Sequence, residues 1–433
     1  MKMKMLKIRL EKLPKEILYI IHMVANLADR QGIKAYVVGG LVRDLILGKE
    51  NYDLDFVLET DAIDFSEKLS NIFSAKIIKH QNFRTTTLVL PNNFKVDFAT
   101  ARSEYYETPG ILPKVKPGTI QDDLFRRDFS INAMAIQINK RDFAKLLDFF
   151  NGRDDLGERY IRVLHNLSFL DDPTRILRAV RFQQRLTFRI EPHTLLLIKQ
   201  AKRLKILKKV SKHRLRDEII LMLKEEDPLR VVRRLSRIYG LDFIHPRISL
   251  NKKTTATFKR IKNTLKWFLG QHPGKRMLDS WLMYFCCLVD GLSSQELVRL
   301  LEEFGFSNGQ VKRILSYRKF SPKLIKRLNK RLHPSQIFRL LEPLSYEVIL
   351  LLISQTKDAK VRKNIQDFLD KYNSTRLLVS GNELKGLGVS SGPSFKKILD
   401  KILDAKIDGR VKNRQDELDF VKRLVRTSDE YLG

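Results

Sequence analysis

The spacing of apolar residues changes partway along the chain. Over about the first 150 residues, short runs rich in β-branched and aromatic residues alternate with turn residues, which predicts strands. Five such runs are KAYVVGG, YDLDFVLE, TTTLVLP, FKVDFATAR and AMAIQI. Two helices are predicted between them, at about 41–47 and 62–73. From Asp172 onward apolar residues recur every three or four positions, which predicts an almost entirely helical remainder.

This change of pattern predicts an α+β protein with several domains. A chain of 433 residues is too long for one ordinary core. We expect a head of mixed sheet and flanking helices at 1–150, followed by a helical neck at 151–235, a helical body at 236–330 and a helical tail at 331–433. The breaks between the later helices are short turns rather than long linkers.

Charge indicates the kind of partner. Lys and Arg total 82 against 50 Asp and Glu, a formal charge of +32, so nucleic acid is the first partner to test. The apolar runs are shorter than the ~20 residues that a membrane-spanning helix needs. The N-terminus shows no signal-peptide pattern, and we expect a cytoplasmic protein. Cys286 and Cys287 lie together in an apolar run and are assigned to core packing.

The segment AYVVGGLVRDLILGKENYDLDFVLE contains the first candidate site. Asp53 and Asp55 are two residues apart on a predicted strand, so both project from one face with Cα atoms ~6.6 Å apart. Carboxylates in this arrangement can share two metal ions, as phosphoryl transfer requires. Gly39 and Gly40 lack a Cβ and precede a helix N-terminus, which suits a triphosphate, and Arg43 adds a cationic donor.

Either motif alone is weak, because a glycine pair often just ends a strand and an Asp-X-Asp often lies on a strand edge. Together, GGLVRD and DLD resemble the signature of polymerase-β-like nucleotidyltransferases, specifically the bacterial class II tRNA nucleotidyltransferases (CCA-adding enzymes) and their poly(A) polymerase relatives. The resemblance implies two Mg²⁺ ions at Asp53 and Asp55. It also implies a third metal-binding carboxylate at Asp97, for which an ion pair with Arg102 is the simpler alternative.

RRDFSINAMA resembles the next motif of that family, with Ser130 where Thr is usual. The resemblance implies nucleotide binding by Arg126, Arg127, Asp128 and Asn132. Guanidinium forks suit phosphates, and the short polar groups suit ribose hydroxyls. The apolar residues of the motif are assigned to packing, namely Ile131, Ala133 and Ala135.

LLDFFNGRDDL resembles the connector between head and neck of the same family. Asp148, Asn151 and Gly152 match, which implies a role in coupling the two domains. An Asn-Gly pair also marks an ordinary turn, and for Gly152 we favour that explanation.

LDDPTRILRAVRF resembles the nucleotide-selecting helix of class II enzymes. The resemblance implies that Asp172 and Arg175 pair with the edge of the incoming base, because carboxylates accept from exocyclic amines and guanidiniums donate to ring acceptors. A spacing of three places both on one helix face. Arg178 and Arg181 are assigned to triphosphate or RNA backbone. Asp171 stands where the family usually has Glu, and either Asp also suits a helix N-cap.

The segment at 381–421 resembles the C-terminal tail of these enzymes. Lys396 and Lys397, after the Gly-rich turn LGVSSGP, are assigned to RNA backbone. Basic helices such as KKTTATFKRIKNTLKWF suggest a surface for the acceptor and TΨC arm of tRNA. At about 238–380 the resemblance is vague.

These motifs predict a template-independent tRNA nucleotidyltransferase that adds CCA from CTP and ATP to the 3′ end of tRNA and releases pyrophosphate. CC-adding and A-adding enzymes share the chemistry, and poly(A) polymerases share the head. The sequence before Phe83 lacks the basic run typical of poly(A) polymerases, which favours tRNA. The segment at 103–118 lies where class II enzymes keep a loop needed for adding A after CC, so CC-only or A-only addition stays open.

Two other classes of protein fit less well. A noncatalytic RNA-binding protein predicts decay of the metal ligands, yet Asp53 and Asp55 are both present. A small-molecule nucleotidyltransferase would leave the long basic helical half without a partner. The sequence leaves the oligomeric state and the physiological metal open.

Overall fold

The computed structural model describes residues 8–105, 114–272, 277–386 and 393–426. The chain forms two compact units, Met1–Pro246 and Arg247–Gly433. The first contains a mixed sheet with flanking helices, and the described part of the second is helical. The predicted α+β class, with a mixed-sheet head and a mostly helical remainder, is thus confirmed. No helix in the described ranges is long and apolar enough to cross a membrane.

Eleven short strands occur in the described part of the first unit. They are β1 (Ala35–Val38), β2 (Leu54–Leu58), β3 (Lys76–His80), β4 (Thr85–Val89), β5 (Lys95–Thr100), β6 (Arg102–Tyr105), β7 (Lys114–Pro117), β8 (Ala135–Gln137), β9 (Lys145–Leu147), β10 (Tyr160–Ile161) and β11 (Arg189–Ile190). Seven form one sheet in the order β3-β4-β5-β2-β1-β8-β9. Within it only β2 and β5 are parallel, and their register places Asp55 opposite Asp97.

The position of each strand in the sheet follows from its residues. All four residues of β1, an interior strand, are buried, whereas β3 exposes most of its side chains at one edge. The five strands predicted from the sequence are all present. The pattern does not predict β3 and β9, because both are short, lysine-containing edge strands without clear alternation.

Ten α-helices occur in the described residues between Lys15 and Pro246 of the first unit. They are α1 (Lys15–Arg30), α2 (Gly40–Leu47), α3 (Ala62–Phe73), α4 (Ile120–Phe125), α5 (Gly152–Glu158), α6 (Ser168–Asp171), α7 (Arg175–Leu186), α8 (Pro192–Arg203), α9 (Lys212–Leu223) and α10 (Pro228–Ile238). Both helices predicted between the strands are present, as α2 and α3. Local signals explain their ends: Asp61 accepts the Ile63 N–H at the start of α3, and Gly48 ends α2 in the left-handed region.

Residues on both sides of the predicted boundary at 150 pack into this one unit. Ser130 Oγ donates to the buried Asp155 Oδ2 at 2.5 Å. The ring of Phe129 meets that of Phe182 edge to face, with centroids 5.9 Å apart. The neck helices α7, α9 and α10 pack on one another. Residues of the predicted neck are therefore available to the same site as the residues of the sheet.

The second unit consists of helices in its described residues. They are α11 (Lys252–Gln271), α12 (Ser280–Leu288), α13 (Ser294–Glu303), α14 (Asn308–Leu328), α15 (Pro334–Leu341), α16 (Tyr346–Gln355), α17 (Ala359–Asp367), α18 (Gly381–Gly386), α19 (Pro393–Ile407) and α20 (Arg414–Arg426). The basic segment KKTTATFKRIKNTLKWF lies within α11, as its pattern predicts. Cys286 and Cys287 are buried free thiols in α12, which confirms their packing role.

Candidate active site

A cavity of about 470 Å³ opens in the first unit where the sheet meets α7. We call it the nucleotide cavity. Its lining combines residues of the GGLVRD, DLD, RRDFSINAMA and LDDPTRILRAVRF motifs with residues outside these motifs. The lining residues are Gly39, Gly40, Arg43, Asn51, Asp53, Asp55, Glu104, Arg126, Arg127, Asp128, Asn132, Asp172, Arg175, Arg178, Phe182 and Arg185.

Four of these residues are not predicted by sequence motifs: Asn51, Glu104, Phe182 and Arg185. Asn51 had a usable signal, since it lies in the turn two residues before Asp53. Its side chain accepts the Asp53 N–H at 2.9 Å and donates to Asp44 Oδ2 at 2.7 Å. It thereby fixes the turn that presents the carboxylate pair. No local sequence signal indicates Glu104. It lies at the cavity because the fold brings it to Arg126, with which it pairs at 3.1 Å.

The glycine pair lies in a tightly packed place, and the conformation of Gly39 also favours glycine. Gly39 adopts φ 72°, a left-handed value that disfavours other residues. A Cβ there would lie 3.3 Å from Arg127 Nη1 and 3.4 Å from Asp55 Oδ2. A Cβ on Gly40 would lie 3.2 Å from Asn51 Nδ2. The backbone at the start of α2 is thus free to approach a phosphate.

The carboxylates are split between two neighbouring cavities. Asp53 and Asp55 line the nucleotide cavity, whereas Asp97 lines a second cavity of about 320 Å³ that shares Asp55 and Arg127 with the first. Asp97 Oδ1 accepts a 2.5 Å hydrogen bond from Thr87 Oγ1. The predicted ion pair of Asp97 with Arg102 is not formed, because Arg102 pairs with Glu104 instead.

The carboxylate pair fits a divalent cation. Burial raises the pKa of Asp55 to about 6, an effect that Arg127 opposes and that Asp97 and Asp53 reinforce. A cation between these carboxylates would relieve their repulsion. No three acidic, His or Cys side chains converge as a preformed metal cluster in the described residues. Mg²⁺ needs only one or two carboxylates when substrate phosphates supply further ligands.

This raised pKa predicts how stability changes with pH. A protonated Asp55 stabilises the fold below its unfolded pKa of 3.8, and that contribution is lost as the pH rises through about 6. Asn cannot ionise, so Asp55→Asn should be more stable than wild type by about 1–2 kcal/mol at about pH 8 and nearly equal at about pH 4. Denaturant unfolding in EDTA across this range measures the difference. A difference that does not grow with pH would contradict the assignment.

The arginines of RRDFSIN are held by one buried carboxylate. Asp123, on α4, binds Arg126 Nη2 at 2.6 Å and Arg127 Nη2 at 2.9 Å. Burial alone would raise the pKa of Asp123, but Arg127 and Arg126 outweigh it and keep the pKa below its usual range. The two guanidiniums are therefore oriented before any ligand arrives.

A chain of polar contacts crosses the cavity from α2 to α9. Arg43 Nη1 donates to Asn132 Oδ1 at 2.9 Å, and Asn132 Nδ2 donates to Asp128 Oδ1 at 3.0 Å. Arg178 then joins Asp128 at 2.8 Å to Glu218 at 3.2 Å. We call these five residues the polar relay. Burial disfavours the Asp128 carboxylate, yet Arg178 and Asn132 keep its pKa below the usual range.

The two residues predicted to select the base, Asp172 and Arg175, differ in detail from their prediction. We call them the selecting pair. The two residues were expected on one helix face, but α7 begins only at Arg175 and Asp172 precedes it in extended conformation. The reason is local: Asp172 Oδ1 accepts the Thr174 N–H at 3.0 Å and the Thr174 hydroxyl at 2.6 Å. Asp172 also pairs with Arg214 at 2.7 Å. Both residues of the pair nevertheless line the nucleotide cavity.

Arg175 is buried and rigidly held. Its Nη1 donates to Ser168 Oγ and its Nη2 to the backbone oxygen of Arg126, both at 2.7 Å. Asp171, in the position where Glu is usual, lies 3.7 Å from His165 Nε2. Asp171 and Arg175 also interact electrostatically.

Four other predicted features lie outside the cavity or outside the described residues. Arg181 does not line the cavity; it is buried against Glu218 and Glu225, at 3.2 and 3.8 Å. Lys396 and Lys397 are exposed on α19 in the second unit. Most of the turn LGVSSGP, at 387–392, and the central part of the 103–118 segment, at 106–113, fall outside the described residues.

The connector is more than the ordinary turn expected for Gly152. Asp148 caps α5, accepting the N–H groups of Gly152 at 2.7 Å and Arg153 at 2.9 Å. A Cβ on Gly152 would lie only 2.2 Å from the backbone oxygen of Ser130. Asn151 has φ 55°, in the left-handed region. Gly152 is thus required where α5 packs directly on the RRDFSIN segment.

Known proteins resemble this chain over most of its length. Residues 35–162 match the family described as "Poly A polymerase head domain", and residues 187–250 match "Probable RNA and SrmB- binding site of polymerase A". The A-adding tRNA nucleotidyltransferase of Halalkalibacterium halodurans is 31% identical over 414 residues, covering 94% of this chain and 92% of that one. The chain belongs to the tRNA nucleotidyltransferase family.

Some members of the family are longer than this chain. The A-adding tRNA nucleotidyltransferase of Geobacter sulfurreducens is 35% identical over 418 residues, which cover 95% of this chain but only 47% of that protein. This chain therefore spans about half the length of that relative.

Solved structures of the family share the fold. The Thermotoga maritima CCA-adding enzyme complexed with tRNA_CCA has a TM-score of 0.70 and 32% identity, with 98% of each chain covered. Complexes of a CCA-adding enzyme with ATP and with CTP, each 31% identical and covering 98% of this chain, have TM-scores of 0.70 and 0.71. They cover 97% and 98% of those chains, respectively.

Proposed function

We propose that the chain adds C and A from CTP and ATP to the 3′ end of tRNA without a template. One observation carries the proposal: the carboxylate pair, the glycine turn and the selecting pair Asp172 and Arg175 line a single cavity. The similar structures that hold tRNA_CCA, ATP or CTP support the choice of substrates. We infer that the body and tail helices bind the tRNA, as their positive charge favours.

In the proposed reaction the RNA 3′ hydroxyl attacks the α-phosphorus, a new P–O bond forms and pyrophosphate leaves. Asp53 and Asp55 would hold Mg²⁺, which when bound lowers the pKa of the attacking hydroxyl and neutralises the leaving group. The backbone at Gly39 and Gly40 receives the triphosphate. Arg126 and Arg127, held in place by Asp123, donate to its oxygens.

Base choice would come from Asp172 and Arg175. A carboxylate accepts from the exocyclic amine that cytosine and adenine share, and a guanidinium donates to ring nitrogens or a carbonyl oxygen. Arg175 is fixed by Ser168 and by the Arg126 backbone oxygen, so its remaining donor directions are limited. A rigid guanidinium discriminates bases better than a mobile one, because wrong pairings cannot be accommodated by movement.

A second candidate function is addition of the terminal A alone. The observation that favours it is that the relatives from Geobacter sulfurreducens and Halalkalibacterium halodurans are both A-adding tRNA nucleotidyltransferases. The chemistry and the cavity are the same for both candidates, so only the acceptor and nucleotide ranges differ.

One assay separates these functions. Transcripts of tRNA ending at the discriminator base, at C and at CC are incubated with CTP, ATP or both, and product lengths are measured. A CCA-adding enzyme extends all three. An A-adding enzyme extends only the transcript ending at CC, and only with ATP. Failure to extend any transcript would refute the proposed function.

Arg175→Ala is expected to reduce the preference for correct over incorrect nucleotides by about tenfold or more, because one base-reading group is lost. Ser168→Ala should cause a smaller loss in the same direction, since it removes one of the two hydrogen bonds that fix Arg175. Relative kcat/KM values for the four nucleotides measure both effects. If both variants discriminate like wild type, Arg175 does not select the base.

A further inference from the structure

An aromatic cluster lies on the surface of the first unit, beside the nucleotide cavity. It consists of Phe125, Phe149, Phe150 and His165. Phe125 and Phe149 keep 48% and 44% of their surface exposed. Single exposed rings are common on proteins, but contiguous exposed apolar groups tend to mark binding surfaces.

The rings of the cluster form a continuous row in space. Phe125 stacks on His165, with centroids 5.0 Å apart and planes 30° apart. Phe150 lies 5.9 Å from Phe125 and 6.3 Å from Phe149. Burial lowers the pKa of His165, which favours the neutral aromatic imidazole. The cluster is therefore an uncharged surface made of flat rings.

Two links join this cluster to the wall of the nucleotide cavity. Phe125 immediately precedes Arg126, which lines the cavity and whose backbone oxygen binds Arg175 at 2.7 Å. His165 lies 3.7 Å from Asp171, the neighbour of the cavity residue Asp172. The aromatic cluster therefore adjoins the part of the cavity that holds the residues proposed to select the base.

The size of the cavity indicates what this surface would meet. A volume of about 470 Å³ suits one nucleotide, and a base-paired helix is far too wide to enter it. The residues of an RNA acceptor that precede its reactive end must then cross the surface around the cavity as a single strand. Aromatic side chains bind unpaired bases by stacking, whatever the sequence, because every base has a π face.

We propose that the aromatic cluster is a stacking platform for the unpaired nucleobases at the 3′ end of the RNA acceptor. This inference rests on the proposed function, because it takes RNA as the acceptor. The platform holds the single-stranded end next to the cavity and leaves recognition of the incoming nucleotide to other residues. It contributes to the affinity for the acceptor end and not to the affinity for the nucleoside triphosphate.

The test compares two RNA hairpins that differ only in an unpaired 3′ extension of three nucleotides. The full chain with Phe125→Leu and Phe149→Leu together should bind the extended hairpin about tenfold more weakly, since stacking is lost while apolar bulk remains. Binding of the blunt hairpin should be unchanged. Fluorescence anisotropy without nucleotide measures both dissociation constants.

A matched control is Tyr19→Leu, which removes a 57% exposed ring on α1 that contacts Phe73 and lines neither described cavity. It should bind both hairpins like wild type. The platform would be overturned if the double variant bound the extended hairpin as tightly as wild type does. It would also be overturned if the double variant bound both hairpins more weakly by the same factor.

A second measurement needs no variant. A 2-aminopurine base within the extension should lose fluorescence on binding the wild-type chain, because stacking quenches it, and unquenched fluorescence in the complex would also overturn the platform. The binding readouts are independent of catalysis. If wild type adds no nucleotide but the double variant still loses its extension-specific binding, the proposed function is refuted and the platform stands.

Discussion

Asp55→Asn is expected to lower kcat for nucleotide addition by at least about 10³-fold while leaving RNA affinity within about twofold. The substitution keeps the shape of the side chain but removes the charge that would hold a divalent cation. Asp55 is the carboxylate that lines both cavities, so its replacement removes a charge from both. Single-turnover addition to a tRNA transcript, with a separate binding measurement, separates the two effects.

An exposed carboxylate of the same unit provides the control for this experiment. Asp64, in the first turn of α3, lines neither described cavity, so Asp64→Asn should add nucleotides at the wild-type rate. Mg²⁺ together with a nonreactive nucleotide should raise the melting temperature of wild type more than that of Asp55→Asn. Addition by Asp55→Asn within tenfold of the wild-type rate would remove this residue from the proposed metal site.

Asp97→Asn would decide the role of the third carboxylate. A loss similar to that of Asp55→Asn would support the proposal that Asp97 also binds metal. A loss below about tenfold would leave Asp97 as a partner of Thr87 in the second cavity.

Gly152→Ala is expected to lower the free energy of unfolding by about 2–3 kcal/mol. Its Cβ would meet the Ser130 backbone oxygen at 2.2 Å and the Ser130 carbonyl carbon at 2.9 Å. Backbone atoms cannot rotate away, so α5 and the segment that carries Asn132 must separate. Because Asn132 belongs to the polar relay, nucleotide affinity should fall as well.

Gly157→Ala is the matched control for this substitution. Gly157 lies on the same helix with nothing within 4 Å of its added Cβ. Alanine there should be neutral or stabilising by up to about 1 kcal/mol, since it favours the helix. Denaturant unfolding of both variants gives the comparison, and equal stabilities would show that α5 can shift without cost.

The sequence predicts features that depend on nearby residues. Asp53 and Asp55 share a face because strand geometry requires it, and the five strands with clear alternation are all found. Gly39 and Gly40 face a cavity because a strand, a tight turn and a helix follow in order. The burial of Cys286 and Cys287 is likewise predicted by the apolar run in which they lie.

Features that depend on distant partners could not be predicted in this way. The Asp172 carboxylate pairs with Arg214 of α9, a partner that the spacing of Asp172 and Arg175 does not indicate. Arg181 has the same chemistry as Arg178 but is buried against Glu218 and Glu225. The need for glycine at position 152 arises from Ser130, which lies elsewhere in the sequence.

The polar relay limits how parts of related enzymes can be exchanged by protein engineering. A chimera joined at residue 150 would take Asp128 and Asn132 from one parent and Arg178 and Glu218 from the other. If the relay residues of the two parents do not match, a buried charge loses its counterion, which typically costs several kcal/mol. The unit Met1–Pro246 contains the whole relay, so exchanging this unit keeps the relay intact, whereas grafting the sheet alone should give an unstable hybrid.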